Sequence, residues 1–281
     1  MSARVDLHMH STASDGTDTP IRLLEKVRSL GLECFSLTDH DTFAGVQEIR
    51  DRIPEGIRFV PGIEFSCRYQ NKWQCHILGY GGDPDSAPLK KAVRKARAMR
   101  LNKLTVRIER LRSEYQICFT DEEMQELESK NCPGKPHLAE LLIRKGYGSD
   151  MKEVFETYLK KIDMGIHMEP DPAIEAILGG GGIPVWAHPF GEKETKFTPP
   201  EKVEKRIKLL KEFGIRGLEC YYSKYSKEQI RFLLEMAKRY DLLVSGGSDY
   251  HGTRKDVSLG ILGREGDTPS PEELTVLGAL K

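Results

Sequence analysis

The 281-residue sequence predicts an α/β fold, a barrel of strand–helix units interrupted by a small all-helical cap. Three observations carry the prediction. Short β-rich runs alternate with helical patterns over residues 4–67 and again from about residue 169, as βα units do. The stretch between them shows helical periodicity alone. Histidines and carboxylates gather at the ends of the strand runs, where a parallel barrel collects its functional groups. The expected division is therefore 1–85 and 169–281 for the barrel and 86–168 for the cap.

Taken in order, strands are expected at 5–9, 34–38 and 59–64, with helices at 20–30 and 42–53 between them. Thr19 is placed to cap the first helix, with Pro20 at its first position and Gly31 at its close. A strand over 73–80 runs into Gly81 and Gly82, and there the composition changes. Residues 89–112 carry ten basic side chains and one acid, Glu109, with Val93, Ala96, Leu104, Ile108 and Leu111 at helical spacing. Further helices are expected at 121–128, 136–145 and 151–160. A helix at 172–178, four consecutive glycines and a strand at 183–187 resume the βα rhythm. Two more strands, 217–221 and 242–246, flank a helix at 227–240. The glycine run lacks the following Lys and Ser/Thr of a phosphate-cradling loop, so it reads as a flexible turn.

With 38% hydrophobic and 31% charged residues, the chain has enough apolar area for a core and is not expected to be disordered. Its 43 basic and 43 acidic residues balance. A neutral chain has no global field to hold nucleic acid polymers, so phosphate recognition must come from a local basic cluster. The six cysteines are scattered and read as reduced, mostly buried thiols. No charged leader with an apolar stretch and no membrane-length segment is evident, which predicts a cytoplasmic protein with no membrane association. No obligate protein partner is evident either.

Five of the eight histidines lie at or just beyond the C-terminal end of an expected strand: His8, His10, His40, His188 and His251. Two residues apart on a strand, His8 and His10 aim their rings to one face, as a shared metal requires. Asp6 points the same way and is expected to orient one of them. His76, inside its strand, would by itself read as a core histidine, and His167 as a solvated one. Imidazole and carboxylate donors without thiolate suit manganese, zinc or ferrous iron.

The motifs Asp6-Leu7-His8-Met9-His10-Ser11 with Ser14-Asp15-Gly16, Thr38-Asp39-His40-Asp41, Gly62-Ile63-Glu64, Ala187-His188-Pro189 and Ser248-Asp249-Tyr250-His251 stand in the order of a known family. They resemble the polymerase and histidinol phosphatase (PHP) family. The resemblance implies a distorted seven-stranded β/α barrel and two or three divalent metal ions. It implies one ion on His8, His10, Glu64 and Asp249, a second on Asp15, His40 and His251, and a third on His76 and His188 with Glu64 bridging. Catalysis would then proceed by attack of a metal-bridging hydroxide on phosphorus, with Asp249, His188 and His251 as the catalytic candidates and the two histidines as possible proton donors to the leaving group.

The helical insertion resembles stand-alone family members that act on small phosphorylated substrates and on short RNA ends. There, Gly134-Lys135-Pro136-His137 matches a basic-Pro-His stretch that implies phosphate binding by Lys135 and His137, with Lys135 standing where arginine is commoner. Arg97 and Arg100 share a helix face, and Arg100 is the third candidate contact. The expected activity is hydrolysis of nucleotide or sugar (bis)phosphates. A cyclic phosphodiesterase or a 5′–3′ exonuclease on short RNA ends is the alternative, and histidinol phosphatase, amidohydrolase and a non-catalytic metal-stabilised module are weaker competitors.

Overall fold

Each β-rich run is followed by a connection that brings the next strand alongside it, so sheet order follows chain order. In the computed structural model, which describes residues 4–159, 166–192 and 196–280, the strands are β1 (Arg4–Asp6), β2 (Leu32–Leu37), β3 (Arg58–Tyr69), β4 (Trp73–Tyr80), β5 (Ile183–Ala187), β6 (Gly217–Tyr222) and β7 (Leu243–Gly247). The sheet nearly closes into a barrel. The segments just beyond β1 and β7 make the closure: Leu7 N–H donates to the Gly246 carbonyl at 3.1 Å, Asp249 N–H to the His8 carbonyl at 2.8 Å and His10 N–H to the Tyr250 carbonyl at 2.8 Å.

β4 is the exception to the parallel pattern, pairing antiparallel with both β3 and β5. Only residues 70–72 join β3 to β4, too few for a crossover helix, and Gln70 and Asn71 adopt left-handed φ angles of 46° and 56° to make the reversal. Antiparallel pairing sets Ser66 against His76 and His76 against Ala187, which brings β4 chemistry beside His188.

Helices α1 (Pro20–Ser29) and α2 (Ala44–Ile49) follow β1 and β2. Thr19 caps α1 through the Arg22 N–H, while the second expected helix divides, its end continuing as a 3-10 turn at Arg50–Arg52. The cap comprises α3 (Ala87–Tyr115), α4 (Asp121–Ser129), α5 (Lys135–Arg144) and α6 (Met151–Val154), the last running into a π turn at Phe155–Leu159. Residue 160 of the expected helix lies outside the described residues. Then come α7 (Pro170–Gly179), α8 (Pro200–Glu212), α9 (Lys227–Arg239) and α10 (Val276–Ala279). α8 has no counterpart in the sequence reading: Val203, Ile207 and Leu210 form its buried face between charged residues.

Two apolar clusters hold the fold. The larger fills and surrounds the barrel and takes in Leu89, Ala92 and Ala96 from the first half of α3. A second unites Leu104 and Leu111 from the later part of α3 with Leu127, Leu138, Leu142 and Val154. α3 is thus shared, one end packed on the barrel and the other in the cap. Five of the six thiols are buried and Cys118 is exposed, all of them free.

Candidate metal centre

Strand geometry puts the ligand candidates where the barrel opens. His8 and His10 follow β1, His40 follows β2, Glu64 lies within β3, His76 within β4, His188 after β5, and Asp249 and His251 after β7. The backbone there is specially held. Asp41, His188 and Asp249 have φ angles of 55°, 31° and 57°, and such conformations persist in non-glycine residues where surrounding structure imposes them. A buried carboxylate, Asp39, accepts hydrogen bonds from Ser11 N–H, Ser11 Oγ and Ser14 Oγ at 2.8, 2.7 and 2.6 Å, fixing the loop that carries His10 and Asp15. Gly247 leaves room for His8, since a Cβ there would lie 2.1 Å from the His8 Cβ.

Glu64 sits at the middle of the cluster. Its Oε2 lies 3.3 Å from His8 Nε2, 3.2 Å from His10 Nε2 and 3.0 Å from His40 Nδ1. Its Oε1 lies 2.9 Å from His76 Nδ1 and 3.1 Å from His188 Nε2. Asp249 Oδ1 is 3.3 Å from His10 Nε2 and 3.6 Å from His8 Nε2. On another side Asp15 Oδ1 faces His251 Nε2 at 3.4 Å and His40 Nε2 at 3.9 Å. All nine candidates therefore meet in one cluster. Donor atoms within 4.8 Å of one another form the groups His8/His10/Asp249, His10/Asp15/His40/His251, His40/Glu64/His76 and His76/His188/Glu192.

The donor chemistry fits divalent cations. His8 Nδ1 is 2.8 Å from Glu219 Oε1, and with that nitrogen as donor its Nε2 presents a lone pair to His10 Nε2 at 3.1 Å and to two carboxylates. Glu64 Oε2, Asp15 Oδ1 and His10 Nδ1 are buried without a hydrogen-bond partner. Lone pairs turned on one another in a largely buried site suit a cation between them.

Charge is strongly coupled here. Burial alone would push Glu64 towards its neutral form, but His8, His40 and His76 hold it well below the usual carboxylate range. Burial likewise opposes charge on His8, yet Glu219, Glu64 and Asp249 raise it well above an ordinary histidine. His40, against burial, is raised to about 9 by Glu64 and Asp15. His251 goes the other way, lowered to about 4 by burial, Lys255 and His10.

The sequence reading missed three neighbours. Glu219 of β6, fully buried, accepts from the His188 backbone N–H at 2.7 Å besides holding His8. It corrects the role given to Asp6, whose oxygens take the backbone N–H groups of His8, Ser248 and Gly260 instead. Glu192 stands 3.9 Å from both His76 and His188. Lys255 bonds both Glu192 and Asp249. A charged residue inside an otherwise apolar strand was the available signal for Glu219.

A cavity of about 420 Å³ opens beside the cluster, lined by Asp15, His40 and His76 on the barrel and by Arg100 and Lys135 among the cap cations. Arg100 donates to Asp41 Oδ2 at 2.6 Å and to Ser66 Oγ at 2.9 Å, so its charge is already shared. His137 lines neither this cavity nor the second cleft, of about 950 Å³, that reaches Met151 and Phe155. Its Nδ1 is buried without a hydrogen-bond partner. Arg97 donates to the Glu128 carbonyl and His167 lies 3.1 Å from Lys103.

The family model for the PHP domain matches residues 6–173. A 5′–3′ exoribonuclease of Haemophilus influenzae is 31% identical over 256 residues, 89% of this chain and 91% of that protein. A 3′,5′-nucleoside bisphosphate phosphatase of Chromobacterium violaceum is 30% identical over 257 residues, 89% of this chain and 87% of that protein. Among solved structures, a protein assigned as a metal-dependent phosphoesterase from Bifidobacterium adolescentis superposes with a TM-score of 0.80 at 28% identity, covering 97% of this chain and 94% of the other.

Proposed function

Since the chain belongs to the PHP family and is a metal-dependent phosphoesterase, we propose that it hydrolyses small phosphate esters such as nucleotide or sugar (bis)phosphates. Two or three ions of manganese, zinc or ferrous iron would be held by His8, His10, Asp15, His40, Glu64, His76, His188, Asp249 and His251. The observation that carries the proposal is Glu64, one carboxylate set between His8, His10 and His40 on one oxygen and His76 and His188 on the other. Divalent ions bound there supply Lewis acidity towards phosphoryl oxygens and bring the pKa of water towards neutrality.

The chain's own residues do the rest. Glu219 fixes the His8 ring, Asp39 fixes the loop of His10 and Asp15, and Tyr222 O–H steadies Asp249 Oδ2 at 2.9 Å. Of the two candidate proton donors, His251 is the poorer, because burial, Lys255 and His10 keep it neutral at working pH. Glu64, 3.1 Å from His188 Nε2, favours a proton on that ring. Lys135 and Arg100 line the cavity beside the cluster and are placed to take a phosphate, and Asp41 already shares the Arg100 charge. No described helix is long and apolar enough to cross a membrane, and with six free thiols we place the protein in the cytoplasm.

The test is phosphate release from phosphomonoesters, bisphosphates, cyclic diesters and short 5′-phosphorylated RNA in the presence of manganese. Activity should appear on at least one small ester, vanish on chelation and return with added metal. Glu64→Gln should lower it by about three powers of ten, since bound metal contributes several kcal/mol to phosphoryl transfer. Phosphate release that is indifferent to chelator, from protein holding only trace metal, would refute the reading.

A further inference from the structure

Among the cations on α3, Arg107 is built differently from the rest. It is only 9% exposed, yet its Nε has no hydrogen-bond partner, and among the described residues no carboxylate pairs with it. Burial and the nearby Arg100 push its pKa down to about 10. Its neighbours on the helix, Leu104 and Leu111, belong to the cap core, which accounts for the packing of its stem but not for a guanidinium left with a like charge. A buried cation without a partner is costly, and proteins keep such groups where an incoming ligand supplies the counter-charge.

Arg107 lines the cavity beside the candidate metal cluster, together with Arg68 and Lys103. Arg100, Lys103 and Arg107 lie at positions i, i+3 and i+7, one face of the helix. Arg100 touches Ser66, which is 3.4 Å from His40, so it marks the metal end. Arg107 stands two turns further, about 10 Å along the helix axis. An anion there is distinct from one at the cluster. The planar fork of arginine, with two more cations nearby, suits a phosphate dianion better than a single carboxylate.

We propose that Arg107 is a specificity-determining residue that holds a second, non-reacting phosphoryl group of the substrate. The proposal rests on the phosphoesterase reading and narrows it to esters that carry two phosphoryl groups, whether a small bisphosphate or the neighbouring phosphate of a short RNA.

The test compares Arg107→Gln and Arg107→Lys with the wild type, metal-loaded, on adenosine 3′,5′-bisphosphate, the two adenosine monophosphates and a 5′-phosphorylated RNA trinucleotide. Arg107→Gln should lower kcat/KM about ten- to hundred-fold where a second phosphoryl group is present. Monophosphates should stay within about two-fold. Selective loss on the bisphosphate points to the small-molecule source and selective loss on the trinucleotide to RNA; either supports the proposal. Equal loss on all substrates, or loss on none, overturns it. Removing an uncompensated buried charge should also leave the ligand-free Tm unchanged or higher. A lower Tm in both variants, or failure of both to fold, would make Arg107 a structural cation and overturn the proposal. Calorimetric binding of adenosine 3′,5′-bisphosphate to the chelated full-length chain should weaken about ten-fold in Arg107→Gln. Unchanged binding there overturns the proposal even if the wild type proves to hydrolyse none of these esters, a result that would count against the phosphoesterase reading itself.

Discussion

The two walls of the cavity are built from opposite chemistries. On the barrel side, Glu64, Asp15 and Asp249 converge with the ring nitrogens of the histidines, a donor set that fits divalent cations. On the cap side, Arg107 is buried beside Arg100, and among the described residues no carboxylate pairs with it. The barrel wall offers metal-ligating groups and the cap wall offers cations, and both face one cavity. On the proposed function, a metal-bound phosphate ester with a further anionic group would engage both at once. Each wall's cost of desolvation thus becomes selectivity for what fills it.

The largest break in the barrel wall short of removing a ligand comes from Glu219. Glu219→Gln keeps the shape but loses the charge that holds His8 and the His188 backbone. Metal affinity should fall about 10- to 100-fold with the fold preserved. Titration of the chelated protein with manganese reads this directly, and wild-type affinity would mean that Glu219 is only packing. On the cap wall, Lys135→Ala should lower kcat/KM about ten-fold on the best substrate. A change in KM alone would assign Lys135 to an anchored phosphate, and a matching fall in kcat to the reacting one. His137→Ala should do less, since His137 does not line the cavity.

The finest test uses protons. In the metal-free protein His40 is raised from 6.5 to about 9, burial opposing and Glu64 and Asp15 prevailing. Protonated His40 cannot ligate, so manganese affinity should rise with pH up to about 9, by about ten-fold per unit for each proton displaced. The same shift stabilises the metal-free fold below pH 6.5 and is lost as pH climbs through about 9. Its Tm should fall over that window while the Tm of the metal-loaded protein does not. Cap-side binding of phosphate through arginine should show no such slope.

Much of the barrel was legible because its strands are punctuated by glycine and proline and most of its candidate ligands sit at strand ends. β4 and β5 begin and end as the patterns of residues 73–80 and 183–187 suggest. Direction was not legible, since an antiparallel β4 differs from a parallel one only in the length of its connections. α8 was hidden because Lys and Glu occupy seven of its thirteen positions while three apolar residues alone define its buried face. The site split in the same way. His8, His10, His40, His188, Asp249 and His251 announce themselves by position, whereas Glu219 and Glu192 matter through neighbours that only folding supplies. Arg107 lay unseen in a basic run because burial, not residue type, sets it apart from the other cations there.

The closure of the barrel through Leu7, His10 and Asp249 gives the centre an order of assembly. Its first proposed ligands are made at residues 8 and 10 and its last at 249 and 251, so during synthesis the early histidines wait while most of the chain emerges. Bringing them together closes a loop of some 240 residues, which costs entropy that only the surrounding strand pairings can offset. With that ligand set, metal capture would be a late event, the seal on a nearly finished barrel and not the nucleus around which it forms.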